Sequence, residues 1–238
     1  MVARFKNHFD NKFIDEITGE IERNYFTPIL NHVLRSIEPK KICDIGCGNG
    51  IFSAGIKKKI NCNLTGIDAN EYALSKAKDL GFDKLIQISD FNHDSIPVKT
   101  ESIDLVICKD VLEHLVDPLH LTKEIARLLK PNGMALIHVP NHFPVWGRLK
   151  FLFTNNIDTF NYFPDSERFN FPHIRFFTTS SINKLLNESG LESKENLSYY
   201  FVQPKFIHRF IPLTLKKVIS KISTNNFSEG FTYLVFKR

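Results

Sequence analysis

Short apolar runs recur along the chain, bounded by glycine, proline, asparagine or aspartate, and separated by stretches with apolar residues three and four apart. The runs are KKICDI (40–45), NLTGID (63–68), KLIQIS (84–89), IDLVICK (103–109) and GMALIHVP (133–140). Near-continuous apolarity predicts strands buried on both faces, not the alternation of a half-exposed sheet. Between them, NEYALSKAKDL (70–80) and PLHLTKEIARLLK (118–130) read as helices. Asp117 is placed to cap the second, with Pro118 in its first turn, and Pro131 and Gly133 end it. The alternation predicts an α/β architecture, a parallel sheet with helices on both faces.

The flanks of this region read differently. Residues 10–36 have a helical pattern interrupted near Pro28, giving an N-terminal helical cap over 1–36. Residues 143–177 are dense in aromatic rings, against 12% for the whole chain. Such an insertion after the fifth strand is expected to act as a lid or to pack as a small core of its own. A helix is predicted in TTSSINKLLNESG, capped by Thr179 or Ser180 and stopped by Gly190. LSYYFVQ (197–203) and FTYLVFKR (231–238) read as two further strands, with 204–226 inserted between them. No repeat or linker divides the 238 residues, so one domain, 1–238, is expected.

Charge changes the picture in one place. The net charge is +5, and between Glu195 and Glu229 there is no acid, but Lys205, Arg209, Lys216, Lys217 and Lys221 are present. The stretch 201–222 also holds many large apolar residues, with Pro204 and Pro212 limiting a helix to about ten residues after 212. Two arrangements follow: weak association of 204–221 with an anionic membrane, or apolar residues turned to the core with the lysines in water. The second is the expectation here, and no nucleic-acid partner is expected. No apolar run is long enough to span a bilayer and the first residues carry no apolar leader, so a cytoplasmic protein is expected, with a membrane-peripheral one as the alternative. Cys43, Cys47, Cys62 and Cys108 form no C-x-x-C pair and are expected to be buried thiols, with neither disulfide nor metal.

The first apolar run leads into DIGCGNG (44–50), three glycines in five positions. Glycine concentrates where the backbone needs φ > 0 or where a ligand lies against it. A dinucleotide turn, G-x-G-x-x-G, would need a third glycine where Ile51 stands, and here an acid, Asp44, sits at the junction. The pattern suits a ligand without a pyrophosphate, whose cationic amino-acid end approaches the turn.

At these residues the sequence resembles class I S-adenosylmethionine-dependent methyltransferases. DIGCGNG is similar to the family's first motif, TGIDAN places Asp68 at the end of the second strand, and ISDF places Asp90 after the third. IDLVICKDVLEHLVDP and ARLLKPNGMALIHVPN are similar to the fourth strand and its loop and to the following helix and fifth strand. The resemblance implies a three-layer, Rossmann-like fold with a seven-stranded, mostly parallel sheet and an antiparallel last strand. It implies S-adenosyl-L-methionine as cofactor, held by Asp44, Gly46, Cys47, Gly48, Asp68, Ala69, Asp90, Phe91 and Lys109. In that family Asp68 would hold the ribose hydroxyls and Asp90 the adenine amino group. Ile67, Ala69, Phe91 and Val111 are candidates for apolar walls, and Tyr25, Phe26 and Phe52 for aromatic faces towards the sulfonium, with core packing the preferred reading of Phe26 and Phe52.

The resemblance also implies an enzyme. A hydroxyl acceptor needs a base near neutral pH, and histidine supplies one. His142, beside the end of the fifth strand, is the first choice and His114 in LEHL the second; His173 and Arg175 are expected to bind an anionic acceptor, and His93 to lie in a surface loop. The pattern is similar to quinone-biosynthesis O-methyltransferases and surface-polysaccharide methyltransferases. The expected activity is methylation of a small-molecule, glycan or lipid-linked acceptor, at a hydroxyl oxygen. Alternatives are a membrane-peripheral enzyme on a polyprenyl or quinone precursor and a non-catalytic cofactor-binding partner protein.

Overall fold

The five apolar runs are strands: β1 (Lys41–Ile45), β2 (Asn63–Asp68), β3 (Lys84–Gln87), β4 (Ile103–Lys109) and β5 (Leu129–Pro140). With β6 (Leu191–Asn196) and β7 (Gly230–Lys237) they form one sheet in the order β3–β2–β1–β4–β5–β7–β6. The first five pair in parallel, and β7 runs antiparallel to both β5 and β6. This computed structural model describes residues 19–154, 173–202 and 210–238.

Adjacent strand residues point to opposite faces, so each strand feeds two cores. Cys43, Ile45, Val106, Cys108 and Ile137 lie in one, which helices α4 (Pro118–Leu128) and α6 (Thr179–Glu188) close through Leu121, Ile125, Ile182 and Leu186. Ile42, Leu105, Ile107 and Leu136 lie in the other, covered by α1 (Gly19–Ile37), α2 (Ile51–Lys57) and the turn at 198–201. Helix α3 (Glu71–Ala77) joins β2 to β3, α5 (Val145–Thr154) follows β5, and α7 (Leu213–Phe227) precedes β7.

Several local expectations are corrected. Helix α1 runs unbroken through Pro28. Loss of one backbone bond costs about 3 kcal/mol, and burial of Phe26, Ile29, Leu30, Val33 and Leu34 against the sheet outweighs it at roughly 1.5–3 kcal/mol each. Helix α4 has the expected cap, Asp117 Oδ1 accepting from the Leu119 and His120 amides. It ends at Leu128, however, and Leu129 already pairs with Ile103 in β5. The cap of α6 is Thr178, neither Thr179 nor Ser180; its hydroxyl and that of Ser181 each accept from the other's amide. Gly190 stops α6 at φ +78°, as expected.

The predicted strand 197–203 is a single helical turn over Ser198–Phe201, and the sheet's edge is the polar LESKEN instead. An edge strand exposes most of its side chains, so β6 lacks an apolar run, and its charges discourage pairing with another chain. Of the aromatic lid, 155–172 lie outside the described residues, as do 203–209 of the basic insertion. Helix α7 is longer than expected, fifteen residues with a kink at Ser223, and its orientation is reversed. Lys216, Ser220 and Thr224 are buried, whereas Leu215, Val218 and Ile222 are exposed. All four cysteines are free and buried, as expected.

One buried polar residue ties β5 to β7. His138 Nδ1 lies 2.7 Å from Thr232 Oγ1, with the ring packed edge-on against Phe26. Burial pushes the imidazole down to about 4, against an upward pull from Asp110. The unfolded chain therefore takes up this proton first on acidification, so His138 contributes stability above about pH 6.5 that is lost as pH falls towards 4. Denaturant unfolding should show a loss of roughly 2–3 kcal/mol from this group between pH 7 and 4.5. His138→Gln, which keeps a partner for Thr232, should be less stable at pH 7 and show a flatter pH dependence; an unchanged slope would refute this assignment.

Candidate active site

The carboxyl ends of β1, β2 and β4 lie flush, with Ile45 paired to both Ile67 and Cys108. Ligands of open parallel sheets bind at this edge. The turn after β1 is tied down at once: the Gly46 and Cys47 amides both donate to Ile67 O, at 2.8 and 3.0 Å. Gly46, Gly48 and Gly50 all have positive φ, +73°, +53° and +77°.

The three glycines differ in what surrounds them. A Cβ on Gly46 would overlap the Val111 side chain, and one on Gly50 would come within 2.8 Å of Ala77 Cβ. Those two serve the protein's own packing. A Cβ on Gly48 would meet nothing within 4 Å, so its bare backbone faces open space. Beside it, Asp68 Oδ2 accepts the Gly48 amide at 2.7 Å and Oδ1 the Asn70 amide at 2.8 Å. Burial pushes the Asp68 carboxyl up, and these amides pull it back. Asn70, not Asp68, caps α3, so the carboxylate's place is not explained by capping.

The other expected cofactor contacts divide. Asp90, in the loop after β3, accepts both the Asn92 amide and its side-chain NH₂, and Phe91 beside it is buried. Ala69 is partly buried on the core beneath. Asp44 is buried and accepts the Ser53 hydroxyl at 2.5 Å, bracing β1 against α2. Cys47 is buried against Gly66, its thiol pushed up by burial. Ile67 is fully buried and walls nothing, contrary to expectation. Phe26 and Phe52 pack edge-on at 5.6 Å in and against the second core, as preferred for both, and Lys109 Nζ lies 5.1 Å from the Phe26 ring centre. Lys109 also pairs with Asp110, whose backbone is left-handed (φ +54°). The Tyr25 side chain lies outside the described residues.

Across the edge, four side chains converge. His142, at the end of β5, has Nε2 2.7 Å from His173 Nδ1, and both are buried. The His114 and His173 rings pack edge-on with centres 4.7 Å apart. Glu113, missed in the sequence, is fully buried, with neither carboxylate oxygen hydrogen-bonded among the described residues; His114 Nε2 lies 4.0 Å from Oε1. Burial and the nearby Asp110 push the Glu113 carboxyl well up. Burial and the neighbouring imidazoles push His173 down to about 3, so it is neutral near pH 7. One ligand atom each of Glu113, His114 and His173 lies within 4.8 Å of the others, a donor set that suits a divalent cation although none was expected.

Segment 173–175 is held here by its backbone: the Ile174 and Arg175 amides donate to Glu113 O at 2.9 and 3.0 Å. Arg175 donates from its guanidinium to Leu115 O and Val116 O. It is a tether, not the free anion binder expected. The sequence signal for Glu113 was an acid beside His114, between the apolar residues of VLEHL.

The sheet order and glycine turn are those of class I S-adenosylmethionine-dependent methyltransferases. The chain belongs to the methyltransferase domain family, whose model matches residues 19–196. It is 34% identical over 115 residues to the ubiquinone biosynthesis O-methyltransferase of Histophilus somni, covering 45% of this chain and 48% of that one. The Hydrogenovibrio crunogenus protein of the same name is 28% identical over 170 residues, 70% of this chain and 68% of that one. The chain thus spans about half the length of the first curated relatives it matches. Its fold is similar to an S-adenosylmethionine-dependent methyltransferase of Clostridium acetobutylicum, with TM-score 0.64, 18% identity and coverage of 95% and 98%. The cofactor of the class fits the residues present, since open space over Gly48 adjoins a carboxylate able to accept from hydroxyls.

Asp68→Ala should weaken S-adenosylmethionine binding about 10- to 100-fold by calorimetric titration, the range for lost charge-assisted hydrogen bonds. Unchanged affinity in a folded variant would remove Asp68 from the site. Gly48→Val should lower affinity and, through its φ of +53°, also lower the melting temperature, while Gly46→Val should lower the melting temperature further, because it adds a clash with Val111 to the same backbone strain. The reverse ranking would contradict the division of roles between the two glycines.

Proposed function

We propose that the protein transfers a methyl group to a hydroxyl oxygen of a small, ring-bearing acceptor, with His142 as the base. The observation that carries this is the buried His142–His173 pair at 2.7 Å, set against Glu113 and His114 at the edge where Gly48 and Asp68 lie. Relatives named ubiquinone biosynthesis O-methyltransferase support oxygen as the atom methylated.

When bound, S-adenosylmethionine supplies an electrophilic methyl group on a cationic sulfonium. Gly48 and Asp68 would hold its backbone-facing and ribose parts, with Asp90 and Phe91 beyond them. The chain's own residues then have three tasks. His142 takes the proton that the acceptor hydroxyl loses as its oxygen attacks, and His173, neutral near pH 7, holds the His142 ring through their shared hydrogen bond. Phe143 and Phe176, ring centres 5.8 Å apart and both beside His142, offer apolar walls to a ring. Burial of the cluster excludes water, so positioning of the acceptor is retained through the reaction. Glu113, close to His114, is placed to steady positive charge that develops on the imidazoles, or to ligate a cation together with His114 and His173.

His142→Ala should lower kcat by roughly 10²–10⁴ with cofactor affinity held within a few fold, the usual range for a lost general base. The assay is release of S-adenosylhomocysteine with a panel of catechol and other phenolic acceptors. A small effect at His142 with a large one at His114→Ala would transfer the role to His114. Turnover that survives both substitutions would overturn the proposal.

A further inference from the structure

The described residues contain fourteen large, exposed apolar side chains, and all but Val116 fall in three segments, 143–153, 174–176 and 210–222. Helices α5 and α7, which hold most of them, lie against each other. Phe153 is 81% exposed, Ile222 72% and Leu152 70%. Monomers seldom gather apolar surface this way without a partner.

The composition of α7 sharpens the point. Lys216, Ser220 and Thr224, four apart, form the stripe that faces inward, where the Ser220 and Thr224 hydroxyls lie 3.2 Å apart. Leu215, Val218 and Ile222 form the opposite stripe and face out. Ile219 packs against the second core, but the other large apolar side chains of the helix face away from it, the reverse of a helix whose outer face meets only water. The same two helices carry four cations and no acid: Lys221 and Lys217 on α7, Lys217 Nζ lying 4.9 Å over the Tyr199 ring, and Lys150 and Arg148 on α5, Arg148 donating to Phe143 O. Trp, Phe and Leu on one side and Lys or Arg beside them is the composition of a helix lying in a bilayer interface. No described helix is long and apolar enough to cross the membrane.

We propose that α5 and α7 together form a docking face for an anionic lipid bilayer. Apolar side chains enter the acyl boundary and the four cations lie at the headgroups. The face continues to the site, since exposed Phe143 and Phe176 border it and both pack against His142. It is also rigidly joined to it: Asn141 Nδ2 donates to Asn225 O at the end of α7, and the next residue is His142. This deepens the functional reading above and rests on it in one respect, that an acceptor whose tail stays in the bilayer would present its ring to His142 without leaving the lipid.

The test uses the full chain and co-sedimentation with vesicles of phosphatidylglycerol mixed with phosphatidylcholine, against phosphatidylcholine alone, at low and high salt. Partition should favour the anionic vesicles and weaken as salt rises. Lys217→Gln/Lys221→Gln should reduce it about 30-fold, and Leu152→Glu/Phe153→Glu at least as much. The variants should keep the native melting temperature and S-adenosylmethionine affinity, measured without lipid. Absence of partition by the native chain, or partition that survives both pairs of substitutions, overturns the proposal. So does the finding by sedimentation equilibrium that the same residues support a dimer instead. Vesicle binding without cofactor binding would leave the docking face standing and remove the functional reading.

Discussion

The two amides that converge on Ile67 O hold the site in place. By donating from Gly46 and Cys47 to the last turn of β2, they force the chain leaving β1 across the end of its neighbour. That crossing requires left-handed backbone at Gly46, Gly48 and Gly50, and it brings the Gly48 amide onto Asp68. A parallel sheet supplies the rest of the constraint. Its strands all end on one edge, so loops distant in sequence, after β1, β2, β3, β4 and β5, meet there without further design. The covering helices keep that edge fixed by burying both faces of every central strand.

The two halves of the edge differ in electrostatic character. Around the glycines the polar groups are satisfied by backbone, leaving space for a ligand. Around Glu113 they are not. A buried carboxylate without hydrogen bonds is costly enough that it takes a proton or a positive partner. Two imidazoles, His114 and His173, stand beside it, and burial holds His173 neutral. A neutral His173 keeps one ring nitrogen as donor or acceptor for its hydrogen bond to His142, so burial fixes the pair's geometry as well as its charge. Asp110 and His138, a step deeper, belong to the same polar seam and join it to the β5–β7 pair through Thr232.

The central fold was legible because its signals are local. Five apolar strands, the Asp117–Pro118 start of α4 and the glycine turn each follow from short-range chemistry. Asp44, Asp68 and Asp90, at or just after the ends of successive strands, are local features of the same kind. What was not legible depended on partners far along the chain. LESKEN is a strand only because β7 supplies its hydrogen bonds, and LSYYFVQ, the more strand-like segment, turns inward to fill the second core. Thr178 took the cap from its neighbours through a hydroxyl exchange with Ser181 that composition cannot rank. Arg175 looked free to meet an anion, but two carbonyls after the fourth-strand turn hold it. Glu113 lay hidden in an apolar run, where an acid reads as a surface position.

Helix α7 shows why periodicity alone misled. Its apolar residues recur at helical spacing, which ordinarily marks the side turned to the core, and the lysines then follow as the wet side. The second core was already closed on this side of the sheet by α1 and the 198–201 turn, so the small hydroxyls of Ser220 and Thr224, the stem of Lys216 and one apolar side chain, Ile219, fit against it. Small polar residues that bond to one another and to their own helix can be buried at little cost. The other large apolar side chains were left outward by exclusion. Once that happens, water is an unfavourable medium for the face, and the absence of acids on α5 and α7 selects among the alternatives. A protein partner would need carboxylates set opposite these cations, whereas the anionic surface proposed above would meet both the charge and the apolar stripe without such matching.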